Sequence, residues 1–331
     1  MSQHSNSPSA LAAGASSSNH GTSRQQQHAE KASLGKKTKI DYEIIDVWQN
    51  NFHNELEKIV QHVEDYPYIA MDTEFPGIVA RPVGSFKTTS EKNYQTLRCN
   101  VNLLKIIQLG LTFCDKDGNV PENGRCIWQF NFKFDLQYDM FAQDSIQLLT
   151  DSGINFKRHA TEGIDVQFFA EKIMCSGIVL SDDVKWISFH SAYDFGYLIK
   201  LLTSLDLPET ESEFFRLLKL YFPHIYDVKY LMKNCETLRG GLNQLGQDLN
   251  VSRFGPAHQA GSDSLLTLHT FFAIVEQYFD SNLDEKHIGV LFGLNANGDT
   301  NGVMNYNSYT NSSTPLHFYS PSPSLSGTPK R

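Results

Sequence analysis

Acidic side chains set inside apolar runs are the residues of this chain whose type and spacing could do chemistry. The run Ile69-Ala70-Met71-Asp72-Thr73-Glu74-Phe75 reads as a β-strand. In a strand, residues i and i+2 share a face, about 6.5–7 Å apart, so Asp72 and Glu74 project together. Two like charges there repel and lose hydration. They need either a counter-charge, such as a divalent cation, or a solvent-facing edge. In Trp186-Ile187-Ser188-Phe189-His190-Ser191-Ala192-Tyr193-Asp194, a strand ends near Phe189 and Ser191 is placed to N-cap the next helix. Asp194 then falls in the first turn, at the carboxyl end of a strand, where α/β folds place ligands. The same place suits a carboxylate that answers the helix dipole. In Gly255-Pro256-Ala257-His258-Gln259-Ala260-Gly261-Ser262-Asp263, Gly261-Ser262 reads as a loop closing into an N-cap, so Asp263 opens a helix. His258 lies five residues earlier on the loop. A neutral imidazole is suited to take a proton near pH 7, and a loop histidine is also a common solvated surface residue.

Taken together, four carboxylates without a matching Lys/Arg cluster suit hard, oxygen-liking Mg²⁺ or Mn²⁺ rather than zinc. Two such ions about 3.5–4 Å apart can clamp the attacking and leaving oxygens of a phosphodiester. The chemistry expected of the set is hydrolysis, with His258 removing the proton of the attacking water.

The elements that must position these groups alternate between the two periods. Ile45 to Glu64 has near-helical apolar spacing (Phe52, Leu56, Ile59, Val60, Val63), with Pro67 just beyond. Tyr68 to Thr73 and Ile106 to Phe113 read as strands, with a turn at Asp117-Gly118 and a hairpin partner at Arg125 to Phe130. Phe141 to Leu149 and Glu162 to Met174 read as helices, and Val184 to Phe189 as a strand. Tyr193 to Leu202, Glu209 to Leu220 and the long amphipathic Asp263 to Tyr278 read as helices. Ile225 to Tyr230 is ambiguous. A hairpin followed by alternating strands and helices predicts an α/β domain with a mixed β-sheet flanked by α-helices.

The chain has 331 residues, with 28 Lys+Arg against 37 Asp+Glu. This is globular composition and excludes collagen-like and wholly disordered classes. The charge is uneven: +4 over residues 1–40, +1 over 296–331 and −14 between, so no basic footprint of a nucleic-acid binder shows at this level. The two ends are poor in core material: residues 1–40 hold no aromatic residue, and of 22 Phe only Phe318 lies in a tail. They read as disordered tails around a single domain at 41–295. The Lys36-Lys37-Thr38-Lys39 cluster fits a nuclear address or a solvated basic tail. Five scattered cysteines without a C-x-x-C read as free thiols in a reducing compartment. No stretch of 18 apolar residues occurs, so neither membrane spanning nor secretion is expected.

Asp-x-Glu on a strand, Tyr-Asp at the next helix and His-x4-Asp at the last resemble the three motifs of the DEDD (DnaQ-like, RNase H-like) 3′→5′ exonucleases, His subtype. Longer runs narrow the likeness: Met71-Asp72-Thr73-Glu74-Phe75-Pro76-Gly77, Ala80-Arg81-Pro82-Val83-Gly84, Leu104 to Phe113, Trp128-Gln129-Phe130-Asn131-Phe132, Tyr226-Asp227-Val228-Lys229-Tyr230-Leu231-Met232 and His258 to Leu266. Over roughly residues 40–294 the chain resembles the Caf/Pop deadenylases, catalytic subunits of the Ccr–Not complex. The resemblance implies an RNase H-like fold. It implies poly(A)-specific 3′→5′ exoribonuclease activity that shortens mRNA tails and releases 5′-AMP, in mRNA decay and translational repression. It also implies two divalent ions, Mg²⁺ or Mn²⁺. Asp72 would bridge both, Glu74 and Asp263 would complete the first site, and Asp194 would hold the second. His258 would orient or deprotonate the water. Phe75 is a candidate surface for the terminal adenosine, or else plain core packing. Partners implied are poly(A) 3′ ends, the large Not scaffold subunit, Tob/BTG-type adaptors and the second deadenylase subunit, in cytoplasm, P-bodies and nucleus. The competing class is a non-catalytic adaptor subunit of the same complex. Loss of a motif carboxylate would have signalled it, and none is lost.

Overall fold

The computed structural model describes residues 40–294. The polar tails expected at 1–40 and 296–331, and the Lys36–Lys39 cluster, lie outside the described residues apart from Ile40. The elements in order are β1 (Ile44–Val47), α1 (Phe52–Asp65), β2 (Tyr68–Glu74), α2 (Thr89–Leu103), β3 (Gln108–Cys114), β4 (Ile127–Asn131), α3 (Gln143–Asp151), α4 (Phe156–Glu162) and α5 (Val166–Met174). There follow β5 (Lys185–Ser188), α6 (Ala192–Thr203), α7 (Glu211–Tyr221), β6 (Ile225–Asp227), α8 (Val228–Leu231), α9 (Leu242–Asp248) and α10 (Ala260–Tyr278).

The strands form one mixed sheet in the order β1-β4-β3-β2-β5-β6. β3 runs antiparallel to both neighbours, β2 and β4, while β1/β4, β2/β5 and β5/β6 pair in parallel. Reversing only β3 brings the carboxyl ends of β2, β5 and β6 to one end of the sheet. The core on either side carries Phe113, Trp128, Phe130 and Trp186, all essentially inaccessible. The central strands β3 and β4 are buried along their whole length. Such strands read as continuous apolar runs rather than alternating ones.

The predicted helix from Ile45 is corrected at its start. Ile44–Val47 is an edge strand whose Ile45 and Val47 face inward, in register with Trp128 and Phe130. The apolar 3.6-residue spacing that predicts the helix belongs to Phe52, Leu56 and Ile59, which with Glu55 are the buried face of α1, while Val60 is exposed. Asn51 marks the border, its carboxamide accepting from the Trp48 N–H at 2.7 Å. α2 lies in a stretch to which the sequence reading assigned no element. Its start carries an N-cap signature: Thr88 accepts from the Glu91 N–H at 3.0 Å, and Glu91 reaches back to the Lys87 N–H. The five cysteines are free, and among the described residues no helix is long and apolar enough to cross a membrane.

The sheet and α10 meet at a glycine. Gly110 stands opposite Asp72 in the β2/β3 ladder. A Cβ there would overlap the backbone carbonyl of Ala260 and press on the Gly261 N–H, at the first turn of α10. Only a residue without a side chain lets the helix start come this close. Because the obstacle is backbone, Gly110→Ala is expected to cost about 1–3 kcal/mol of stability through overpacking. A melting temperature several degrees below wild type in a thermal scan is the check, and an unchanged value would mean that the helix start gives way freely.

Candidate active site

The first two carboxylates come from the end of β2. Asp72 is half-buried and Glu74 is 9% exposed. Asp194 lies in the first turn of α6, immediately beyond β5, and is 7% exposed. Its Oδ1 accepts two hydrogen bonds from Thr73, from the backbone N–H at 3.0 Å and from Oγ1 at 2.6 Å. The residue between the two β2 acids thus ties the third acid to the strand. Ser191 sits at the N-cap position without making the predicted cap bond. Its hydroxyl pairs instead with Ser188 Oγ at 2.6 Å.

Asp263 is the fourth acid, also 7% exposed. α10 begins at Ala260, three residues before the predicted start. Its first N–H groups are met by carboxamides from the sheet rather than by Ser262: Ala260 donates to Gln108 Oε1 at 3.3 Å and Gly261 to Gln129 Oε1 at 2.9 Å. Asp263 Oδ2 accepts the backbone N–H of His258 at 2.8 Å. His258 is exposed and left-handed, with φ +60°. His190 has φ +57°. Each stands two residues before a helix that carries a site acid, where the chain must reverse sharply within a tight space.

The carboxylates act on one another. Asp72 is held well above the usual carboxylate range, first by burial and then by the charges of Asp263, Asp194 and Glu74. Glu74 is likewise raised, by burial and then by Asp263 and Asp194. Burial pushes Asp194 up to about 6, with the Thr73 bonds pulling the other way. Four acids are therefore gathered at one place with a deficit of positive charge. One ring nitrogen of His258 and carboxylate oxygens of Glu74 and Asp263 lie within 4.8 Å of one another, a spacing at which three ligand atoms can share one cation. The donor set is oxygen-rich and fits a hard divalent cation.

Two functional residues were missed from sequence. Arg253 bonds Asp263 Oδ1 through Nη2 at 2.6 Å and Ser262 Oγ through Nη1 at 2.9 Å. Its charge partly offsets the rise at Asp72 and Glu74. It is a single guanidinium, ten residues before Asp263 and in no basic cluster, so four carboxylates face one positive side chain. Asp227 is fully buried at the end of β6. It accepts N–H groups of His190, Lys229 and Phe292, each at 2.9 Å, and pins the loop before α6. Its position as N-cap of α8 was a readable signal.

Phe75 is half-buried, stacked on Tyr193 with ring centroids 5.3 Å apart at 11° and tilted against Tyr197 at 5.2 Å. Packing accounts for part of the ring and leaves the remainder uncovered. His159 is a buried structural histidine, its Nδ1 2.7 Å from the Phe132 carbonyl.

A model of the family described as CAF1 family ribonuclease matches residues 47–173 and 178–271. A probable CCR4-associated factor 1 homolog 7 of Arabidopsis thaliana is 55% identical over 257 residues, 76% of this chain and 93% of that protein. Poly(A) ribonuclease pop2 of Schizosaccharomyces pombe is 49% identical over 294 residues, 86% of each chain. The solved structure of S. pombe Pop2p in its Mg²⁺- and Mn²⁺-bound form superposes with a TM-score of 0.74 at 50% identity, covering 76% of this chain and 99% of that one. Yeast CAF1 co-crystallised with the NOT1 MIF4G domain gives a TM-score of 0.63 at 33% identity, covering 76% of this chain and 96% of the matched chain.

Proposed function

The chain belongs to the CAF1 family of ribonucleases and has a mixed α/β fold, and from that premise we propose that it is an RNase H-like, poly(A)-specific 3′→5′ exoribonuclease that shortens mRNA tails. The observation that carries this reading is the convergence of Asp72, Glu74, Asp194 and Asp263 from three distant segments into one charge-deficient cluster, with the His258 ring beside it. An adaptor would have no need to hold four acids in mutual repulsion.

Asp72, Glu74, Asp194 and Asp263 would hold the divalent ions. When bound, such ions supply an acidified water and charge neutralisation at the leaving oxygen. The chain's own residues do the rest. Asp263 holds the His258 backbone, which places an exposed imidazole to take the proton of the attacking water. The water oxygen bonds to phosphorus and the P–O3′ bond breaks. The 3′ oxygen takes a proton from solvent, and 5′-AMP leaves. Thr73 fixes the carboxylate rotamer of Asp194. Phe75, braced by Tyr193 and Tyr197, offers its uncovered part to the terminal adenosine.

The Mg²⁺- and Mn²⁺-bound relative supports the choice of cation. The relative crystallised with a NOT1 domain supports a Not scaffold as partner. Tob/BTG-type adaptors, the second deadenylase subunit and a cytoplasmic and nuclear location belong to the same reading. With −14 on residues 41–295, few phosphate contacts are available and delivery to message depends on those partners.

The test is a 5′-labelled RNA ending in about twenty adenosines, incubated with pure protein and Mg²⁺ or Mn²⁺. A ladder shrinking from the 3′ end is expected, lost with EDTA and much weaker on poly(U) and on matched DNA. Equal rates on DNA would remove the claim of RNA specificity.

A further inference from the structure

Arg253 occupies a place that the proposed reaction does not yet use. Its guanidinium reaches three side chains on two helices. Nη2 bonds Asp263 Oδ1 at 2.6 Å in α10, and Nη1 bonds Ser262 Oγ at 2.9 Å in the same turn. Nε and Nη2 together grip Asn243 Oδ1 in α9, at 2.9 and 2.6 Å. Ser262 Oγ in turn donates to the Phe254 carbonyl at 2.7 Å, next to Arg253 itself.

The two oxygens of Asp263 are thereby divided. Oδ1 is held by Arg253, at the start of the 253–258 segment, and Oδ2 by the His258 N–H at its end. One carboxylate closes a ring of hydrogen bonds around the loop that presents the imidazole. Each carboxylate oxygen has further acceptor capacity, so these bonds orient the group and leave room for a cation. A planar fork suits this task because its donors sit on separate nitrogens fixed relative to one another, whereas a lysine amine presents rotatable donors from a single nitrogen.

We propose that Arg253 is a positioning residue that clamps Asp263 to the His258 loop and to α9, so that the metal-ligating carboxylate and the proton acceptor are set together before substrate arrives. This rests on the nuclease reading above. Outer-shell partners of metal ligands commonly contribute about 10–100-fold in affinity or activity.

The experiment measures Mn²⁺ binding to the full-length protein by calorimetry, alongside single-turnover shortening of a labelled A-tailed RNA at saturating Mn²⁺. Backbone amide exchange over 253–259 is followed in the same samples. Arg253→Ala is expected to bind Mn²⁺ about 10–100-fold more weakly, to react more slowly even when saturated, and to lose exchange protection in 253–259 while the rest of α10 keeps it. Arg253→Lys should remain close to Arg253→Ala, because the charge is kept and the fork is lost. Asn243→Ala, which leaves the Asp263 contact in place, should show the same defects at several-fold rather than tenfold size, and it serves if Arg253→Ala fails to fold. Wild-type Mn²⁺ affinity in Arg253→Ala overturns the clamp, and so does full recovery by Arg253→Lys, which would reduce the residue to a counter-charge. A wild-type protein that neither binds Mn²⁺ nor shortens RNA would instead overturn the nuclease reading itself.

Discussion

Asp72→Asn is expected to abolish RNA shortening, by about 10³-fold or more, and at the same time to make the metal-free protein more stable. The first effect follows from the position of Asp72 at the centre of the acid cluster. If Asp72 is the shared ligand that the family resemblance implies, its loss removes several kcal/mol of charge stabilisation, and each 1.36 kcal/mol is about tenfold in rate. The second effect has the opposite sign. Asp72 is raised by burial and by three neighbouring acids, so its ionised form is a liability when no cation is present. Asparagine has the same shape and removes that repulsion. In EDTA the variant should melt above wild type at pH 7.5, and it should lose most of the rise in melting temperature that Mn²⁺ gives wild type.

The pH dependence separates this from general stabilisation. Burial pushes the Asp194 carboxyl up to about 6 in the fold, from an ordinary 3.8. The folded state therefore holds a proton that the unfolded chain has released. The stability gained this way is fully present below about 3.8 and is lost as pH rises through about 6. Asp72 and Glu74 are raised in the same direction. Metal-free wild type should thus lose stability between pH 5 and pH 7.5, and Asp72→Asn should lose less. Melting curves in EDTA across that range test both statements. A variant less stable than wild type at pH 7.5, or one that keeps near wild-type turnover, would sink the assignment.

His258→Ala is expected to slow turnover by about 10²–10⁴-fold, the range for loss of a general base, while metal binding survives. The anchoring of the loop does not pass through the imidazole, because it is the His258 backbone N–H that Asp263 accepts. The left-handed backbone at φ +60° complicates an alanine replacement, since residues with a Cβ adopt it reluctantly and glycine does not. His258→Gly separates the two causes. If the imidazole matters, alanine and glycine are equally slow. If backbone strain matters, glycine recovers activity. The ring also stands within ligand distance of Glu74 and Asp263 oxygens, so calorimetry with Mn²⁺ is the deciding measurement. An affinity loss as large as the rate loss would make His258 a metal ligand and leave the proton acceptor unassigned.

The site was more legible than its supports. Asp72 and Glu74 could be read because strand alternation alone puts residues i and i+2 on one face. Asp194 could be read because a helix start follows a strand end there, and Asp263 because Gly261-Ser262 announces a helix start after a loop. The exact start of α10 could not be read, since the groups that meet its first N–H donors are Gln108 and Gln129, more than a hundred residues away. Arg253 was hidden for a related reason. Its meaning comes from a fork shared among Asn243, Ser262 and Asp263, which nothing in its own neighbourhood announces. In the fold, Ile44–Val47 was absorbed into the following helix because a four-residue edge strand is too short to display its own period. α2 was passed over because its buried side is only Tyr94, Leu97, Asn100 and Val101.

The acids come from positions 72, 74, 194 and 263, and the last of them stands on α10, the final α-helix among the described residues, which lies across β2 and β3. A chain still being synthesised cannot assemble this cluster until that helix has left the ribosome and docked. Such long-range closure is a late and slow event in folding. A ribonuclease is made in contact with the message that encodes it. Here the order of the elements means that the proposed site cannot form on a growing chain before α10 has been made.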